Sequence, residues 1–524
     1  MLNELQKEIQ NLNADLNERQ VAQLDKLLQF LADVLGQDSY NDLLENKDLK
    51  RLIICKSVVS GIYKLLSSKE FNFYHFSQES GIDIKEFWDW TVGEKKRDLL
   101  KPEYKGFEIK RDPKFSADGE NFVVILNNQT VAVNGSPWDS LLKMENQDIN
   151  YRDVLISEDG QVVVVRILGE EDANSSILVV NQKFWDNHLV LTWSGSDPKL
   201  NYDGSMVVDM SEYAGNKNLY VNDKLWSEKD FNFVGDANIS ENGKRIAILT
   251  KAKSDESESK DNNQKESVVF VDRKKWNHRF LDSSDVVFSP DSKKVAVCAS
   301  EDKGWTVWVD DLRIWDEFID CKWIDEPVWS PDSQKIAAII HHGYNNDEII
   351  VDKKIWPLRE GEYSKPVWSP DSNKVAAGFK HSGEGDYFLV VDGIIDKSKK
   401  LRNSGAFKWS PDSQKIAICT PSRDKGSIKI DDDFWDLALS SGKLVGFSPD
   451  SQKFAVIKYY YEPNENDINQ LTKIEIVIND KVIEGDYKKI VNFTFSPDSQ
   501  KIMFVAKKED GEWYRIVKDV SNIK

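Results

Sequence analysis

Six nearly identical strings, each reading Ser-Pro-Asp-Ser and followed two residues later by lysine, recur through the second half of the chain. They start at Ser289, Ser330, Ser369, Ser410, Ser448 and Ser496. Weaker copies, FSADG, ISEDG, LNYDG and ISENG, place the same feature at Ser116, Ser157, Asn201 and Ser240. Consecutive starts lie 38 to 49 residues apart. Such a period is the signature of a repeat architecture and constrains the fold more than any single segment.

Each string has the chemistry of a tight turn. Serine suits the first position, proline fixes φ at the second, and aspartate at the third bonds its own backbone. A ring of such carboxylates would also suit cations or a basic partner. Because the aspartate recurs in every unit, we interpret it as a turn former, at Asp291, Asp332, Asp371, Asp412, Asp450 and Asp498.

A second hairpin follows in each unit, in strings such as LVVNQKFW and IIVDKKIW. Asn or Asp after a β-branched run is typical of two-residue hairpin turns. A tryptophan follows four residues later in seven units, at Trp138, Trp185, Trp226, Trp276, Trp315, Trp356 and Trp435. We favour packing between blades over an exposed docking belt for these rings. In DKGWTVWVDD, Trp305 and Trp308 fall on opposite strand faces, so we expect one to be exposed.

Two hairpins make four strands in about 41 residues, which is the pattern of a β-propeller blade. We therefore predict a mainly β fold, with one closed ring of ten blades over residues 104–524. Two smaller rings are the alternative. Only 29 residues follow the start of the last turn at Ser496, too few for a blade. We predict that YKGFEIKRD, residues 104–112, supplies the missing outer strand and closes the ring.

The first hundred residues have a different pattern. Leu5, Ile9, Leu12 and Leu16 line one helix face, and further helical stretches run through IDIKEFWDWTV. We predict a small all-α interaction domain over residues 1–100. An ordinary helical bundle is favoured over a dimerisation coil, so these helices either pack together, self-associate or dock a partner.

Charge and hydropathy narrow the functional classes. The net charge of −19 and pI near 5.0 argue against a general nucleic-acid or anionic-membrane surface. No apolar run reaches about 18 residues, and the N-terminus lacks the apolar core of a signal peptide. The four cysteines form no CxxC pair. We expect a cytoplasmic chain with reduced thiols, without direct membrane insertion.

Catalytic and cofactor motifs are missing from the sequence. No GxSxG nucleophile elbow, GxGxxG loop or GxxxxGK[ST] loop occurs. The adjacent His341 and His342 point to opposite faces of a strand, which is poor geometry for one metal ion. We therefore expect no enzymatic activity, no cofactor and no metal site. One variable stretch, YYYEPNENDINQLT (459–472), carries aromatic residues and is either a surface loop or a partner contact.

The WSPDSxKIA units resemble the PD40, or WD40-like, repeats of the TolB-type propeller superfamily over residues 104–524. A tryptophan-rich segment is similar to the D subunit of the Tmc transmembrane redox complex. This segment is GWTVWVDDLRIWDEFIDCKWIDEPVWSPDSQKIAA, residues 304–338. That second resemblance implies a cofactor-free accessory subunit on the cytoplasmic side, associated with the membrane and with other redox subunits through protein contacts.

Together these features predict a non-catalytic protein-interaction scaffold that serves an electron-transfer complex. The rival interpretation is a propeller that binds a small ligand, or acts as an enzyme, in its central channel. Inward-facing His, Asp or Arg side chains near one mouth would favour the rival.

Overall fold

The computed structural model describes Ser77 and residues 83–102, 109–126, 131–138, 150–168, 176–190, 198–213, 216–226, 231–252, 266–301, 304–316, 318, 320–343, 346–357, 360–420, 426–430, 433–439, 441–463 and 469–523. Two compact units divide the chain, Met1–Thr91 and Val92–Lys524. Most of the helical domain predicted for residues 1–100 therefore lies outside the described residues. No described helix is long and apolar enough to cross a membrane.

In the first unit, the predicted helix through IDIKEFWDWTV is reduced to one 3-10 turn, Ile84–Phe87. The Asp83 carboxylate accepts a hydrogen bond from the Lys85 backbone N–H at 2.9 Å and caps this turn. Trp88 then adopts an extended conformation, with ψ of 155°, so the helical path ends there. Its indole stacks on that of Trp90 at 6.2 Å between ring centres.

The second unit is built from ten antiparallel sheets in chain order, which we call blades 1–10. Within each blade the strands are named a, b, c and d in the order in which they pair. The strands of blades 1–3 are β2 (Lys114–Phe115), β3 (Phe122–Ile125), β4 (Val131–Val133), β5 (Ser136–Pro137), β6 (Asn150–Ile156), β7 (Val163–Leu168), β8 (Ser176–Val180), β9 (Lys183–Val190), β10 (Lys199–Leu200), β11 (Val207–Tyr213), β12 (Asn216–Val221) and β13 (Lys224–Leu225).

In blades 5–7 strand a is interrupted, so two short pieces pair with the same strand b. The strands of blades 4–7 are β14 (Phe231–Ile239), β15 (Ile246–Ala252), β16 (Ser267–Val271), β17 (Lys274–Lys275), β18 (Asp282–Ser283), β19 (Val287–Phe288), β20 (Val295–Glu301), β21 (Gly304–Val309), β22 (Leu312–Arg313), β23 (Trp323–Ile324), β24 (Val328–Trp329), β25 (Ile336–Gly343), β26 (Asn346–Val351), β27 (Lys354–Ile355), β28 (Gly361–Tyr363), β29 (Val367–Trp368), β30 (Val375–His381), β31 (Tyr387–Val391) and β32 (Ile394–Leu401).

Blades 8–10 complete the ring, and the last of them also takes the first strand of the unit. Their strands are β33 (Phe407–Trp409), β34 (Ile416–Thr420), β35 (Gly426–Ile430), β36 (Asp433–Leu439), β37 (Ser441–Phe447), β38 (Phe454–Pro463), β39 (Asn469–Ile478), β40 (Lys481–Tyr487), β41 (Lys489–Phe495), β42 (Lys501–Lys507), β43 (Trp513–Asp519) and β1 (Gly93–Arg97). The fold is thus a ten-bladed β-propeller, and the two-ring alternative is wrong.

Ring closure uses an N-terminal strand, as predicted, but the predicted segment was wrong. The outer strand of blade 10 is β1, Gly93–Arg97, which pairs with β43 from Gly93↔Val517 to Arg97↔Trp513. It is not residues 104–112, and residues 93–97 are not helical. Only Arg97 of the five residues of β1 is buried. Because an outermost strand is covered on few sides, it needs no apolar pattern. The charged string GEKKR therefore carried no strand signal.

Strand b is buried on both faces in most blades, which explains its unbroken apolar runs. In β20, six of the seven residues, Val295–Ser300, are buried. Alternate side chains face different neighbours: Ala337 and Ile339 pack toward blade 7, whereas Ala338 and Ile340 pack toward blade 5. Each strand is thus the centre of two inter-blade cores.

Because consecutive strands are antiparallel, the a–b and c–d turns lie on one face of the ring, which we call the turn face. The b–c and d–a connections lie on the opposite face, the loop face. The c–d turns have two residues of positive φ, as at Asp310 (49°) and Asp311 (66°), which is the type I′ geometry expected from the sequence. The Asp310 carboxylate also accepts the Val295 N–H at 3.0 Å, which ties the turn to strand b.

Candidate functional site

The a–b turns have the predicted conformation, and their aspartates are occupied within the turn. In each turn the first serine hydroxyl donates to the aspartate at 2.5 to 2.6 Å, at Asp291, Asp332, Asp371, Asp412, Asp450 and Asp498. The same carboxylate oxygen accepts a backbone N–H two residues later, at 3.0 Å for Asp332. These bonds hold the carboxylates as turn formers.

The serine bond has an electrostatic consequence. Hydrogen bonds to a carboxylate favour its charged form. The hydroxyl of the first serine lowers the pKa of Asp291, Asp332 and Asp412, and that of Ser369 lowers the pKa of Asp371 to about 2. These carboxylates therefore stay ionised while bound to their own turns.

The second serine of each string links neighbouring blades. It has φ near 60°, as at Ser333 (62°), and this directs its hydroxyl toward the preceding blade. The Ser333 hydroxyl accepts the Asp291 backbone N–H at 3.0 Å. Equivalent bonds of 2.9 to 3.0 Å join Asp332 to Ser372, Asp371 to Ser413, Asp412 to Ser451 and Asp450 to Ser499.

The lysine after three of the strings, Lys294, Lys335 and Lys453, strengthens the same junction. Lys294 Nζ donates to the Ser333 carbonyl of the next blade at 3.0 Å and lies 5.7 Å from the centre of the Trp329 ring. Lys335 repeats both contacts with Ser372 and Trp368, at 2.9 and 5.9 Å. Each repeated string is therefore an inter-blade latch. The sequence signal for it was the invariance of this lysine among neighbours that vary.

The repeat tryptophans fill the wedges between blades. Trp138, Trp185, Trp226, Trp276, Trp315 and Trp356 are all buried. Trp138 packs among residues of blade 1 and blade 2, and Trp356 among residues of blades 6 and 7. Trp435 lies on β36, and its side chain is outside the described set. Trp305 and Trp308 are both buried, so the expectation that one is exposed was wrong: each faces a different inter-blade core.

The central channel is lined by strand a of successive blades. A cavity of about 440 Å³ lies against blades 2–4, with Ile156, Leu200 and Ile239 in its wall. A second of about 400 Å³ lies against blades 4–6, with Phe288, Val328 and Trp329. Both have walls of mixed polar and apolar character, and Asn238 belongs to both.

A charged aromatic cluster lies at the loop-face end of blade 6. His341 on β25 has a carboxylate beside each ring nitrogen: Nδ1 is hydrogen-bonded to Asp347 Oδ1 at 2.8 Å, and Nε2 lies 3.0 Å from Asp325 Oδ2 in an ion pair. The Trp323 indole stacks on the imidazole at 4.5 Å with an interplanar angle of 19°. Asp347 Oδ2 accepts the Tyr363 backbone N–H of blade 7 at 3.3 Å, so the cluster bridges two blades.

Electrostatics make His341 a cation at neutral pH. Burial of the ring disfavours its charge, but the attraction of Asp325 and Asp347 outweighs burial and raises the pKa of His341 to about 9. Burial would raise the pKa of Asp325 as well, yet the contact with His341 lowers it. The adjacent His342 points the other way, as the sequence indicated, with Nε2 3.1 Å from Glu348 Oε2.

The cluster is built for charge stabilisation and stacking. Among the described residues, no group of three or more His, Cys, Asp or Glu side chains is arranged to hold a metal ion. Sequence reasoning considered His341 and His342 only as metal ligands and missed their carboxylate partners. The sequence signal for these pairs was the string His341–His342 on strand b followed by Asp347–Glu348 on strand c. The antiparallel pairing of β25 with β26 places His341 opposite Asp347.

Comparisons with known proteins show no family for this chain. Neither a family model nor a curated protein matches the chain. A crystal structure of the eukaryotic initiation factor aligns at 14% identity over 63% of this chain and 85% of its own, with a TM-score of 0.37.

Two other solved structures show the same range of likeness. A putative TolB from Agrobacterium tumefaciens aligns at 16% identity over 43% of this chain and 90% of its own, with a TM-score of 0.25. A prolyl endopeptidase aligns at 11% identity over 69% of this chain and 55% of its own, with a TM-score of 0.30. At these values the likeness assigns the chain neither a family nor a function.

Proposed function

We propose that this protein is a non-catalytic protein-interaction scaffold and an accessory subunit of a multisubunit assembly. The observation that carries the proposal is the b–c hairpin of blade 9, which extends beyond its own blade. Strands β38 and β39 have ten residues each. The pairing of β37 with β38 stops at Ser441↔Tyr459, and that of β40 with β39 stops at Ile474↔Tyr487.

Beyond those points the hairpin has two strands only. Tyr460–Pro463 pairs with Asn469–Lys473 and no described strand continues the sheet on either side. We call this two-stranded segment the overhang. Open strand edges invite pairing with another chain, and a two-stranded ribbon alone is marginally stable in water. An overhang of this kind is therefore suited to docking.

The side chains of the overhang support this use. On one face Tyr460 is held by its hydroxyl bond to Glu475 and by Lys458 Nζ, 4.5 Å from its ring centre. On the other face Tyr461 is exposed, next to Leu471 across the hairpin. Tyrosine is enriched among the residues that anchor protein interfaces. Apart from Lys473, the overhang falls within residues 459–472, for which the sequence left a surface loop and a partner contact as alternatives.

The setting we propose follows from the resemblance to the Tmc D subunit. The partners would be subunits of a membrane-associated redox complex, and this chain would lie on its cytoplasmic side without cofactors of its own. The buried tryptophans do not serve electron transfer in this proposal, because packing between blades already accounts for them.

The test is purification from native cells under mild conditions, with identification of the co-eluting proteins. We expect a stoichiometric complex. Tyr461→Asp should reduce the recovered partner at least tenfold, whereas Ile394→Asp, at an exposed rim position of blade 7, should leave it unchanged. A chain that elutes alone at every salt concentration contradicts the scaffold proposal.

The channel cavities favour a second candidate, a small-ligand-binding or enzymatic propeller. Their walls combine apolar side chains with polar groups such as Asn238, and a small ligand would need both kinds of contact. A metabolite that raises the unfolding temperature of the lone chain, and loses that effect in Phe288→Ala, would favour this function over the scaffold.

A further inference from the structure

Trp323 occupies a position that the two neighbouring blades fill with acidic residues. It lies seven residues before the turn serine Ser330, at the loop-face end of strand a in blade 6. The same position holds Asp282 in blade 5 and Glu362 in blade 7. Each of the three pairs with strand b: Trp323 with His341, Asp282 with Ser300 and Glu362 with Lys380. An aromatic residue therefore replaces the acidic residue that both neighbouring blades have at this strand position.

The indole is exposed yet fixed. Trp323 is 42% exposed, which is unusual for a side chain of this size. One ring face lies on the His341 imidazolium, so its exposed area belongs to the opposite face and the ring edge. Trp323 Nε1 donates to Asp325 Oδ1 at 3.2 Å. A ring held by two contacts loses little conformational entropy when a partner stacks on it.

The charges around the ring favour a cation. Asp325 is 47% exposed at its side chain and is free to accept further hydrogen bonds at its edge. Asp325 and Asp347 together outweigh the single charge of His341. Nearby positive groups are committed, since Lys380 pairs with Glu362 at 3.0 Å and Lys365 with Glu326 at 3.0 Å. Lys322, beside the ring in sequence, is exposed.

We propose that Trp323 and Asp325 form a docking point for an arginine side chain of a partner protein. The planar guanidinium stacks on the exposed indole face and donates to the Asp325 carboxylate, a combination that arginine makes better than lysine. The proposal rests on the scaffold function and names the partner chemistry of one surface. The overall charge of −19 helps to attract such a basic segment.

The test uses the full chain labelled with 5-fluorotryptophan and observed by fluorine NMR. The Trp323 resonance is the one lost in Trp323→Phe. The probe is tri-arginine amide, with triglycine amide and tri-glutamate amide as controls. We expect only tri-arginine to shift the Trp323 resonance in a saturable way, with a weaker effect at high salt. The resonance of Trp409, at the channel wall of blade 8, should stay in place.

The second variant is Asp325→Asn, which keeps the size of the side chain. It should weaken tri-arginine binding about two- to fivefold, the effect of a partly exposed ion pair. An unmoved Trp323 resonance, or equal shifts with triglycine, would overturn the proposal even if native purification yields a complex. Conversely, saturable tri-arginine binding by a chain that elutes alone supports the docking point and contradicts the scaffold.

Discussion

His341 shows how one residue acquires a fixed charge from its surroundings. A histidine in water is mostly neutral at pH 7.5, but two carboxylates hold this one as an imidazolium, with a pKa of about 9. The cation then supports the Trp323 ring above it. Two acidic side chains, one cation and one indole thus form a unit in which each member orients the next.

Stability should depend on pH through this residue. Its folded pKa lies above the unfolded value of about 6.5, so the stabilisation is complete below pH 6.5 and is lost as pH rises through 9. At 1.4 kcal/mol per pKa unit it amounts to as much as about 3 kcal/mol. Thermal unfolding of His341→Gln and the native chain should differ clearly at pH 6 and converge near pH 10. An equal difference at both pH values would contradict the charge assignment.

Substitutions of Ser333 test the contribution of one hydroxyl group to the inter-blade latch. Ser333→Gly removes the bond to the Asp291 N–H but suits the φ of 62°. Serine is already strained at this φ, so glycine relieves about 1 kcal/mol of strain and offsets the lost hydrogen bond of about 1 kcal/mol. Ser333→Ala keeps the strain and should lower the unfolding free energy by about 1 kcal/mol. Denaturant titration of both variants measures the two effects separately. Identical values for alanine and glycine would show that backbone strain plays no part here.

At the scale of elements, the blades are joined by repeated contacts of three kinds. The turn latches act at one face, the tryptophans after the c–d turns fill the wedges, and the indoles before the a–b turns bond across the channel wall. Trp368 Nε1 donates to the Val328 carbonyl at 3.0 Å, and Trp409 Nε1 to the Val367 carbonyl at 3.2 Å. Repetition therefore serves the interfaces between blades as much as the blades themselves.

Substitutions of Trp138 distinguish the two roles considered for the repeat tryptophans, packing between blades and docking of a partner. Its ring lies between blades 1 and 2 and is 4% exposed. Trp138→Ala should lower the unfolding free energy by about 3–5 kcal/mol, and Trp138→Phe by less, because it keeps most of the apolar volume. Urea titration gives both values. If Trp138→Ala left stability unchanged but reduced partner recovery, the docking interpretation of these tryptophans would be correct instead.

At the scale of the whole molecule, stability depends on how the ring is closed in blade 10. In blade 10, β1 pairs with β43. Glu120 of blade 1 forms ion pairs with an arginine on each of these two strands. Glu120 Oε2 lies 2.9 Å from Arg97 Nη2, and Oε1 lies 3.2 Å from Arg515 Nε. Burial would raise the pKa of Glu120, but the charge of Arg97 and the other cations lowers it overall. The ring is thus closed by strand pairing and by a shared carboxylate.

Glu120→Gln should destabilise the ring because it leaves the buried Arg97 and Arg515 without their anion. The expected loss is about 3 kcal/mol at pH 7. The sign of the pH effect follows from the lowered pKa: the stabilisation is present above the unfolded value of 4.5 and disappears as pH falls below it. The difference in unfolding free energy between the native chain and Glu120→Gln should be larger at pH 7 than at pH 3.5. Glu512→Gln, which affects an exposed pair with Lys96, is the matched control.

Local chemistry determined the repeated parts of this fold. Proline, aspartate and the hairpin Asn or Asp specify their turns through their own backbone bonds, so ten four-stranded units could be predicted from the sequence. The tryptophan positions followed from the same period. The closing strand could not be predicted, since GEKKR at an outer edge has no apolar pattern and pairs with residues more than four hundred positions away.

The candidate site depended on tertiary structure for a related reason. Trp323, Asp325 and His341 come from two strands of blade 6, and the Tyr363 N–H that anchors Asp347 comes from blade 7. Residue types alone do not show which charges meet, and an electrostatic pair changes pKa only at contact distance. The sequence by itself determined the blade and its number, because turn chemistry is local. Only the tertiary structure decided the pairing of β1 with β43, the inter-blade latches and the cluster of Trp323 with His341 and its carboxylates. The residues that form each of these features meet only in the folded ring.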